Sequence, residues 1–77
     1  GMKKKLDKLI KNPPQKLGDR KVEEVESIDG LKLIFSDDDW FLLRLSGTIP
    51  AIRCYAEAGT KMKVDKIIAA GLKLLDQ

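Results

Sequence analysis

Two arginines enclose a short loop of small, hydrogen-bonding residues near the middle of the chain. The segment runs Arg44, Leu45, Ser46, Gly47, Thr48, Ile49, Pro50, Ala51, Ile52, Arg53. The serine and threonine hydroxyls lie beside loop N–H groups, and such donors can converge on an anion. The arginines add charge-assisted, fork-shaped donors that match the geometry of a phosphate. The segment therefore predicts an oxyanion site formed by Arg44, Ser46, Gly47, Thr48 and Arg53.

Glycine and proline have defined roles in this interpretation. Gly47 lets the backbone approach a ligand closely or adopt a positive φ. Pro50 fixes its own φ and stiffens the exit from the loop. An ordinary turn between two strands, with both arginines solvated, explains the same ten residues equally well. The loop alone does not decide between these two interpretations.

The single cysteine and the absence of histidine limit the chemistry open to the chain. No disulfide can form within the chain, and the ligands are too few for a zinc site of cysteine and histidine. Because no histidine is present to activate it, we interpret Cys54 as a buried structural thiol and not as a nucleophile. A free cysteine and an N-terminus without the apolar core of a signal peptide predict a cytoplasmic location.

Three consecutive carboxylates, Asp37, Asp38 and Asp39, raise the question of a metal site. Adjacent residues at the end of a strand point in different directions, and no further acidic residues follow at the spacing of a calcium loop. Aspartate also favours turns, because its side chain bonds to its own backbone. We therefore predict a turn here, with no metal and no cofactor bound by this chain.

Positive charge is concentrated near the N-terminus. The chain has 15 lysines and arginines against 12 acidic residues, which gives a formal net charge of +3. The lysines that contribute most to this excess are Lys3, Lys4, Lys5, Lys8 and Lys11. A nucleic-acid-binding module is one interpretation, but base-stacking aromatics are few and no nucleic-acid motif is present. The preferred interpretation is a short helix whose lysine face is exposed to solvent.

Helices are predicted at both ends of the chain. The first covers 3–11, with apolar residues three and four apart, and a polar connection over 12–19 follows it. The second covers 60–76, with Thr60 as its N-cap. Its apolar stripe consists of Val64, Ile67, Ile68, Gly71, Leu72 and Leu75. Gly71 weakens a helix by roughly 1 kcal/mol relative to alanine, and close packing on a sheet would explain its presence.

Strands are predicted between the helices. The Asp29-Gly30 pair is typical of a two-residue hairpin loop in which both residues have positive φ. A strand over 21–28 should therefore pair with one over 31–36. Strands over 40–45 and 51–57 also alternate. On the first, Phe41, Leu43 and Leu45 lie on one face and Arg44 on the other. On the second, Ile52, Cys54 and Ala56 lie on one face and Arg53 on the other. On the strand over 31–36, Leu31, Leu33 and Phe35 share one face.

These elements predict a single α+β domain over 1–77. A four-stranded antiparallel sheet over 20–58 carries helices on one face, in the order α-β-β-β-β-α. Gly1 before Met2 has the form of a tag-cleavage scar and is left out of the fold. A hydrophobic content of 43% and a charged content of 35% are typical of soluble globular domains. No apolar run is long enough to span a bilayer.

The motifs together resemble those of a known family. They are Asp29-Gly30, Trp40, Arg44-x-Ser46-Gly47-Thr48-x-Pro50-x-x-Arg53 and Tyr55-x-Glu57-Ala58. In this combination the chain resembles the C-terminal domain of the α-D-phosphohexomutases, the phosphoglucomutase/phosphomannomutase family. The resemblance implies a TATA-binding-protein-like fold of order β-α-β-β-β-β-α, so that this chain would lack the first strand. Family members usually have proline in place of Leu45 and often glutamate in place of Ile49.

The resemblance also implies a function. Enzymes of this family interconvert hexose 1-phosphates and 6-phosphates, and the loop that matches residues 44–53 holds the phosphate of the bound phosphosugar. Their phosphoserine and their magnesium ion lie on other domains. The expectation is therefore a substrate-phosphate-binding domain that works with the other domains of a phosphohexomutase and is not catalytic alone. The residues of this domain do not identify the sugar.

Two other functions stay open on the sequence. The chain could be a stand-alone module that binds a sugar phosphate or a similar anion, because the loop chemistry does not depend on further domains. It could also be a basic nucleic-acid-binding module, which the lysines of the first helix would favour. We place the phosphohexomutase interpretation first and the nucleic-acid interpretation last.

Overall fold

The computed structural model describes residues 2–49 and 51–76. Within those residues, a helix at each end of the chain encloses a series of strands. The helices are α1 (Met2–Lys11) and α2 (Lys61–Leu75). The strands are β1 (Lys16–Leu17), β2 (Arg20–Lys21), β3 (Glu24–Glu26), β4 (Leu31–Ile34), β5 (Trp40–Leu45) and β6 (Ile52–Glu57). A short 3-10 turn, Ser36–Asp38, joins β4 to β5.

Strands β3 to β6 form one antiparallel sheet, in which each strand pairs with the next along the chain. In its register, Leu33 lies opposite Phe41, and Phe41 lies opposite Ala56. Helix α1 packs on β4, and α2 packs on β5 and β6. Leu6 of α1 and Ile67 of α2 both belong to the core on one face of this sheet. The predicted fold class, an antiparallel four-stranded sheet with helices on one face, is confirmed.

The core consists of the alternating apolar side chains of the sheet and of the helix residues that cover them. Its buried members are Leu6, Leu17, Leu31, Leu33, Phe35, Phe41, Leu43 and Ile67. Burial of each such side chain contributes roughly 1.5–3 kcal/mol to folding. The predicted alternation of β4 and β5 is therefore correct, and it directs every second side chain of these strands to the opposite face.

The predicted polar connection over 12–19 contains a strand that the sequence analysis missed. Strands β1 and β2 form a two-stranded antiparallel hairpin, in which Leu17 pairs with Arg20. Its turn contains Gly18 at φ +61°, a conformation that glycine adopts without steric cost. Leu17 is buried in the core, and α2 packs against β1. The hairpin therefore depends on contacts with a distant helix, and these are not visible in local sequence.

The first strand of the large sheet is shorter than predicted. It covers Glu24–Glu26 in place of 21–28, and Glu26 pairs with Lys32. This register makes the connection four residues long, over 27–30, so the predicted two-residue loop is wrong. Within that connection only Gly30 has a positive φ, +133°. A methyl group at Gly30 would lie 2.2 Å from the carbonyl oxygen of Leu43, so glycine is also required by close backbone contact.

Helix α2 begins at the predicted cap, because the Thr60 hydroxyl accepts a hydrogen bond from the Lys63 N–H at 3.2 Å. Its packing face differs from the predicted stripe at Leu72 and Leu74. Leu72 is 51% exposed, whereas Leu74 packs against the core. At 100° per residue, Leu72 lies about 140° around the helix from Ile67. The buried face is therefore rotated around the helix relative to the predicted stripe, away from Leu72 and toward Leu74.

The aspartate triplet forms a turn, as predicted. Asp37 and Asp38 both have φ of 62°. Asp39 is buried, and one oxygen of its carboxylate accepts a hydrogen bond from Arg20 at 3.0 Å. The same guanidinium group lies 5.1 Å from the centre of the Phe35 ring. This ion pair joins the β1–β2 hairpin to the turn that precedes β5.

Candidate functional site

The two arginines of the predicted site lie directly opposite each other on neighbouring strands. In the pairing of β5 with β6, Arg44 is the partner of Arg53. Leu43 and Cys54, the pair before them, face the core, so the alternation of both strands turns the arginines to the outer face. Both side chains are exposed. The structure therefore unites two residues that are nine positions apart in the sequence.

In the part of the chain that the structure describes, Arg44 and Arg53 have no acidic partner. Within residues 2–49 and 51–76, neither arginine has a carboxylate within 4.0 Å. Glu57, on the same face of β6, instead accepts a hydrogen bond from the Trp40 indole N–H at 2.8 Å. Like charges directly opposite each other on a sheet are destabilising. The pair therefore forms an uncompensated positive site, and a bound anion would reduce the repulsion between the two arginines.

Beside the arginines, residues 46–49 form a tight turn around the Ser46 side chain. The Ser46 hydroxyl oxygen accepts hydrogen bonds from the N–H groups of Thr48 at 3.3 Å and of Ile49 at 3.4 Å. The Ser46 N–H donates to the Ala51 carbonyl at 2.8 Å, which closes the loop at its base. Serine forms such turns because its hydroxyl can take the place of a backbone acceptor.

The two hydroxyl groups of the loop are in contact with each other. The oxygens of Ser46 and Thr48 are 3.3 Å apart, and either group could be the donor. Since that contact uses one hydroxyl proton, the other proton is available to an external acceptor. The loop therefore presents a hydroxyl donor at the end of the strand that carries Arg44.

Gly47 lies at the exposed tip of the loop. Its φ is not positive, so of the two predicted roles only close approach of the backbone to a ligand stays open. A methyl group there would have no heavy atom of the described residues within 4 Å. The surroundings of Gly47 therefore leave space that a ligand could enter. The prediction that Pro50 stiffens the exit from the loop concerns a residue outside those that the structure describes.

Cys54 is half-buried and not fully buried as predicted. Its side chain packs against the core, on the face of the sheet opposite the arginine pair. Burial raises the pKa of its thiol, because the thiolate is poorly solvated there. A raised pKa opposes formation of the nucleophilic thiolate. The environment fits the interpretation of Cys54 as a structural thiol.

The described part of the chain has neither a metal-binding cluster nor a membrane-spanning helix. It contains no group of three or more cysteine, histidine or acidic residues that could hold a metal ion. Neither of its helices has the length and apolar character needed to cross a membrane. Of the N-terminal lysines, Lys3, Lys4, Lys8 and Lys11 are exposed and Lys5 is partly buried. They belong to α1, which packs on β4.

Sequence reasoning identified the loop and the arginines but missed what surrounds them on the outer face. Lys32 lies with its ammonium nitrogen 4.8 Å from the centre of the Trp40 ring. Leu42 is paired with Lys32 on one side and with Tyr55 on the other. The alternation of each strand was visible in the sequence. These neighbours depend on the register between strands, which alternation alone does not determine.

Comparison with known proteins places this fold and loop in a family. The family model described as phosphoglucomutase/phosphomannomutase, C-terminal domain, matches residues 3–73. The match includes both helices apart from Met2 at the start of α1 and Leu74 and Leu75 at the end of α2. It also includes the whole loop with its two arginines. It therefore covers the fold and the candidate site together.

Curated relatives carry the names of several mutases. The chain is 41% identical over 61 residues to a phosphoglucomutase/phosphomannomutase of Thermococcus kodakarensis, a match that covers 79% of this chain and 13% of that protein. It is 46% identical over 46 residues to a probable phosphoglucosamine mutase of Methanosphaera stadtmanae, with coverage of 60% and 10%. It is 41% identical over 46 residues to a phosphopentomutase of Thermococcus kodakarensis, again with coverage of 60% and 10%.

The chain spans only 10–13% of the length of these three relatives. Their names differ, whereas the matched part of each is this one domain. What is shared is thus the domain itself, and not the sugar that each relative is named for. The chain belongs to the phosphoglucomutase/phosphomannomutase family, as a C-terminal domain of that family.

Proposed function

We propose that this chain is the substrate-phosphate-binding domain of a phosphohexomutase, an enzyme that interconverts hexose 1-phosphate and hexose 6-phosphate. The phosphate is held by Arg44, Ser46, Gly47, Thr48 and Arg53. The observation that carries this proposal is the direct pairing of Arg44 with Arg53 on an exposed sheet face, without an acidic partner in the described residues. A phosphate dianion supplies the missing negative charge.

The chemistry of binding follows from these groups. Each guanidinium offers parallel N–H donors to two phosphate oxygens, and charge-assisted bonds of this kind are stronger than neutral ones. The free hydroxyl proton of the Ser46–Thr48 pair adds a neutral donor. Gly47 leaves room for the phosphate to approach the backbone. Affinity then depends on both arginines, because either one alone leaves a phosphate charge unpaired.

In the whole enzyme, this domain binds a phosphate that does not react. Binding energy from that remote group positions the sugar for chemistry on other domains. Closure of the domain over the sugar would also exclude water. The described residues offer no ligand set that fits the magnesium ion implied by the family resemblance. We therefore propose that the chain has no turnover by itself and that phosphosugar and the other domains are its partners.

An amide NMR titration of the 77-residue chain with glucose 6-phosphate tests the proposal. We expect saturable shifts at Ser46, Gly47 and Thr48 that inorganic phosphate competes away. Arg53→Ala should abolish these shifts without unfolding the domain. Lys61→Ala, which removes one exposed positive charge from the start of α2, is the matched control and should bind normally.

Two results would contradict the proposal. Shifts spread over the lysines of α1, and insensitive to Arg53→Ala, would indicate a general polyanion surface of the kind a nucleic-acid-binding module has. A folded chain with no shifts at millimolar glucose 6-phosphate would show that the loop does not bind phosphate by itself. The cytoplasmic location stays a prediction.

A further inference from the structure

The turn that joins β3 to β4 lies against the end of the strand that carries Arg44. Leu31 of β4 and Leu43 of β5 are partners in the sheet. Gly30 directly precedes the first of them, and Arg44 directly follows the second. A methyl group at Gly30 would overlap the backbone carbonyl oxygen of Leu43 and would lie 3.2 Å from the Arg44 α-carbon. The turn therefore packs on β5 at the peptide bond that joins Leu43 to Arg44.

Two properties of Gly30 make this close packing possible. Its φ is +133°, which residues with a side chain rarely adopt. The atoms that a side chain would meet belong to the backbone of β5, so they cannot move aside as the end of a flexible side chain could. Any other residue at this position must therefore shift either the turn or the end of β5.

The core limits which part of β5 can shift. The side chains of Leu31 and Leu43 are fully buried, and close-packed side chains resist displacement. Arg44 has no such anchor, because its side chain is exposed on the outer face. A displacement at the peptide bond after Leu43 would therefore reach Arg44 and alter its position relative to Arg53, its partner on β6.

We propose that Gly30 is a positioning residue of the phosphate site. By letting the β3–β4 turn pack on β5, it fixes the strand end from which the Arg44 guanidinium reaches the phosphate. The inference rests on the proposed function, because it concerns the same arginine pair. It adds to the site a residue without a side chain, fourteen positions before Arg44 in the sequence.

Titration of Gly30→Ala with inorganic phosphate, followed by amide NMR, tests this inference. Signals of the folded state report the affinity separately from any loss of stability. We expect phosphate to bind about tenfold more weakly than to the unsubstituted chain, as expected when one hydrogen bond to a charged group is lost. Normal binding by a folded Gly30→Ala chain would overturn the inference, because the turn would then have moved in place of Arg44.

Gly18→Ala is the matched control. Gly18 also lies in a hairpin turn and has a positive φ, +61°. Among the described atoms, a methyl group there would meet only the side chain of Ala70 within 4 Å. Both variants should lower the melting temperature, whereas only Gly30→Ala should weaken phosphate binding. Equal weakening by the two variants would show a general effect of strained turns and would overturn the inference.

Arg44→Lys shows whether Gly30 acts through Arg44. Lysine keeps the positive charge on a flexible stem, but it lacks the rigid fork that makes arginine binding sensitive to position. In this background, Gly30→Ala should change phosphate affinity by less than about twofold. A loss as large as in the chain with Arg44 would mean that Gly30 affects the site by another route, which would overturn the inference.

A measurement on the unsubstituted chain covers the case in which Gly30→Ala does not fold. If the position of the turn favours phosphate binding, bound phosphate must favour that position by the same free energy. Saturating phosphate should therefore slow hydrogen exchange of the Gly30 amide, with no change at Gly18. Phosphate binding without a response at Gly30 would overturn the inference and leave the phosphate site intact. Absence of phosphate binding would overturn the proposed function and, with it, this inference.

Discussion

Gly71 of α2 lies directly against the ring of Phe41 on β5. A methyl group at Gly71 would be 2.1 Å from the nearest ring carbon and within 3 Å of two more. The Phe41 side chain is fully buried, so it has no space into which to move. The glycine in the middle of α2 is therefore required by packing, which explains why a residue unfavourable to helices is found there.

Gly71→Ala should destabilise the domain although it raises helix propensity. The propensity gain is about 1 kcal/mol, and overpacking of a filled core costs about 1–3 kcal/mol. We expect a net loss in the free energy of unfolding, measured by urea denaturation. Ala69→Gly, at an exposed position of the same helix, should lose only the propensity term. A Gly71→Ala variant more stable than the parent chain would contradict this packing.

Arg53→Gln should have opposite effects with and without phosphate. At low salt and without phosphate, removal of the repulsion from Arg44 should raise the free energy of unfolding by about 0.2–1 kcal/mol. Added phosphate should stabilise the parent chain by about 1.4 kcal/mol at ten times its Kd, and it should not stabilise the variant. Melting temperatures in matched buffers measure both effects.

The control for this variant is Lys61→Gln, which removes an exposed positive charge at the start of α2, outside the Arg44–Arg53 pair. It should show no rise in stability without phosphate and a normal response to phosphate. A drop in stability for Arg53→Gln in the absence of phosphate would indicate that this arginine makes favourable contacts that outweigh its repulsion from Arg44.

Gly47→Ala should separate stability from binding. The added methyl group meets no described atom within 4 Å, and the backbone φ suits any residue. Its effect on the free energy of unfolding should therefore stay within about 0.5 kcal/mol. Phosphate affinity should fall, because the methyl group occupies the space that the ligand approaches. Isothermal titration measures the affinity, and unchanged binding would show that phosphate does not contact this part of the loop.

The pH dependence of Cys54 alkylation follows from its burial. Since the folded-state pKa of the thiol is raised, thiolate forms at a higher pH in the folded chain than in the unfolded chain. The rate of reaction with iodoacetamide should therefore begin to rise at a higher pH in buffer, where the chain is folded, than in urea, where it is unfolded. The folded chain keeps the thiol proton to a higher pH than the unfolded chain does. Ionisation of Cys54 therefore lowers the free energy of unfolding as the pH rises past the unfolded-state pKa. Cys54→Ala should remove that contribution.

Much of the sheet and of the site could be predicted, because alternation is a local property. The alternation of 40–45 and 51–57 correctly placed each arginine on the strand face opposite the residues that pack in the core. Their direct pairing was not predictable, since it depends on the number of residues that the connecting loop uses. A positive φ was one of two roles predicted for Gly47, but the Ser46 hydroxyl forms the turn without it.

The parts that could not be predicted depend on distant contacts. The β1–β2 hairpin has strands of only two residues, and Leu17 and the Arg20–Asp39 ion pair hold it in place. Those partners are far away in the sequence. Leu72 was assigned to the core because it follows the helical period, whereas α2 turns a face that includes Leu74 toward the core. The local sequence pattern thus predicts which way a side chain points, but it does not predict whether another element buries that side chain.

The order of the sheet has a consequence for how the domain folds. Because each strand from β3 to β6 pairs with its neighbour in the chain, most of the sheet forms by closing short loops. Short loops lose little entropy on closure, and folding rates rise as contacts become more local. The arginine pair is brought together by one such hairpin. The site can therefore form early, before the N-terminal helix docks on β4.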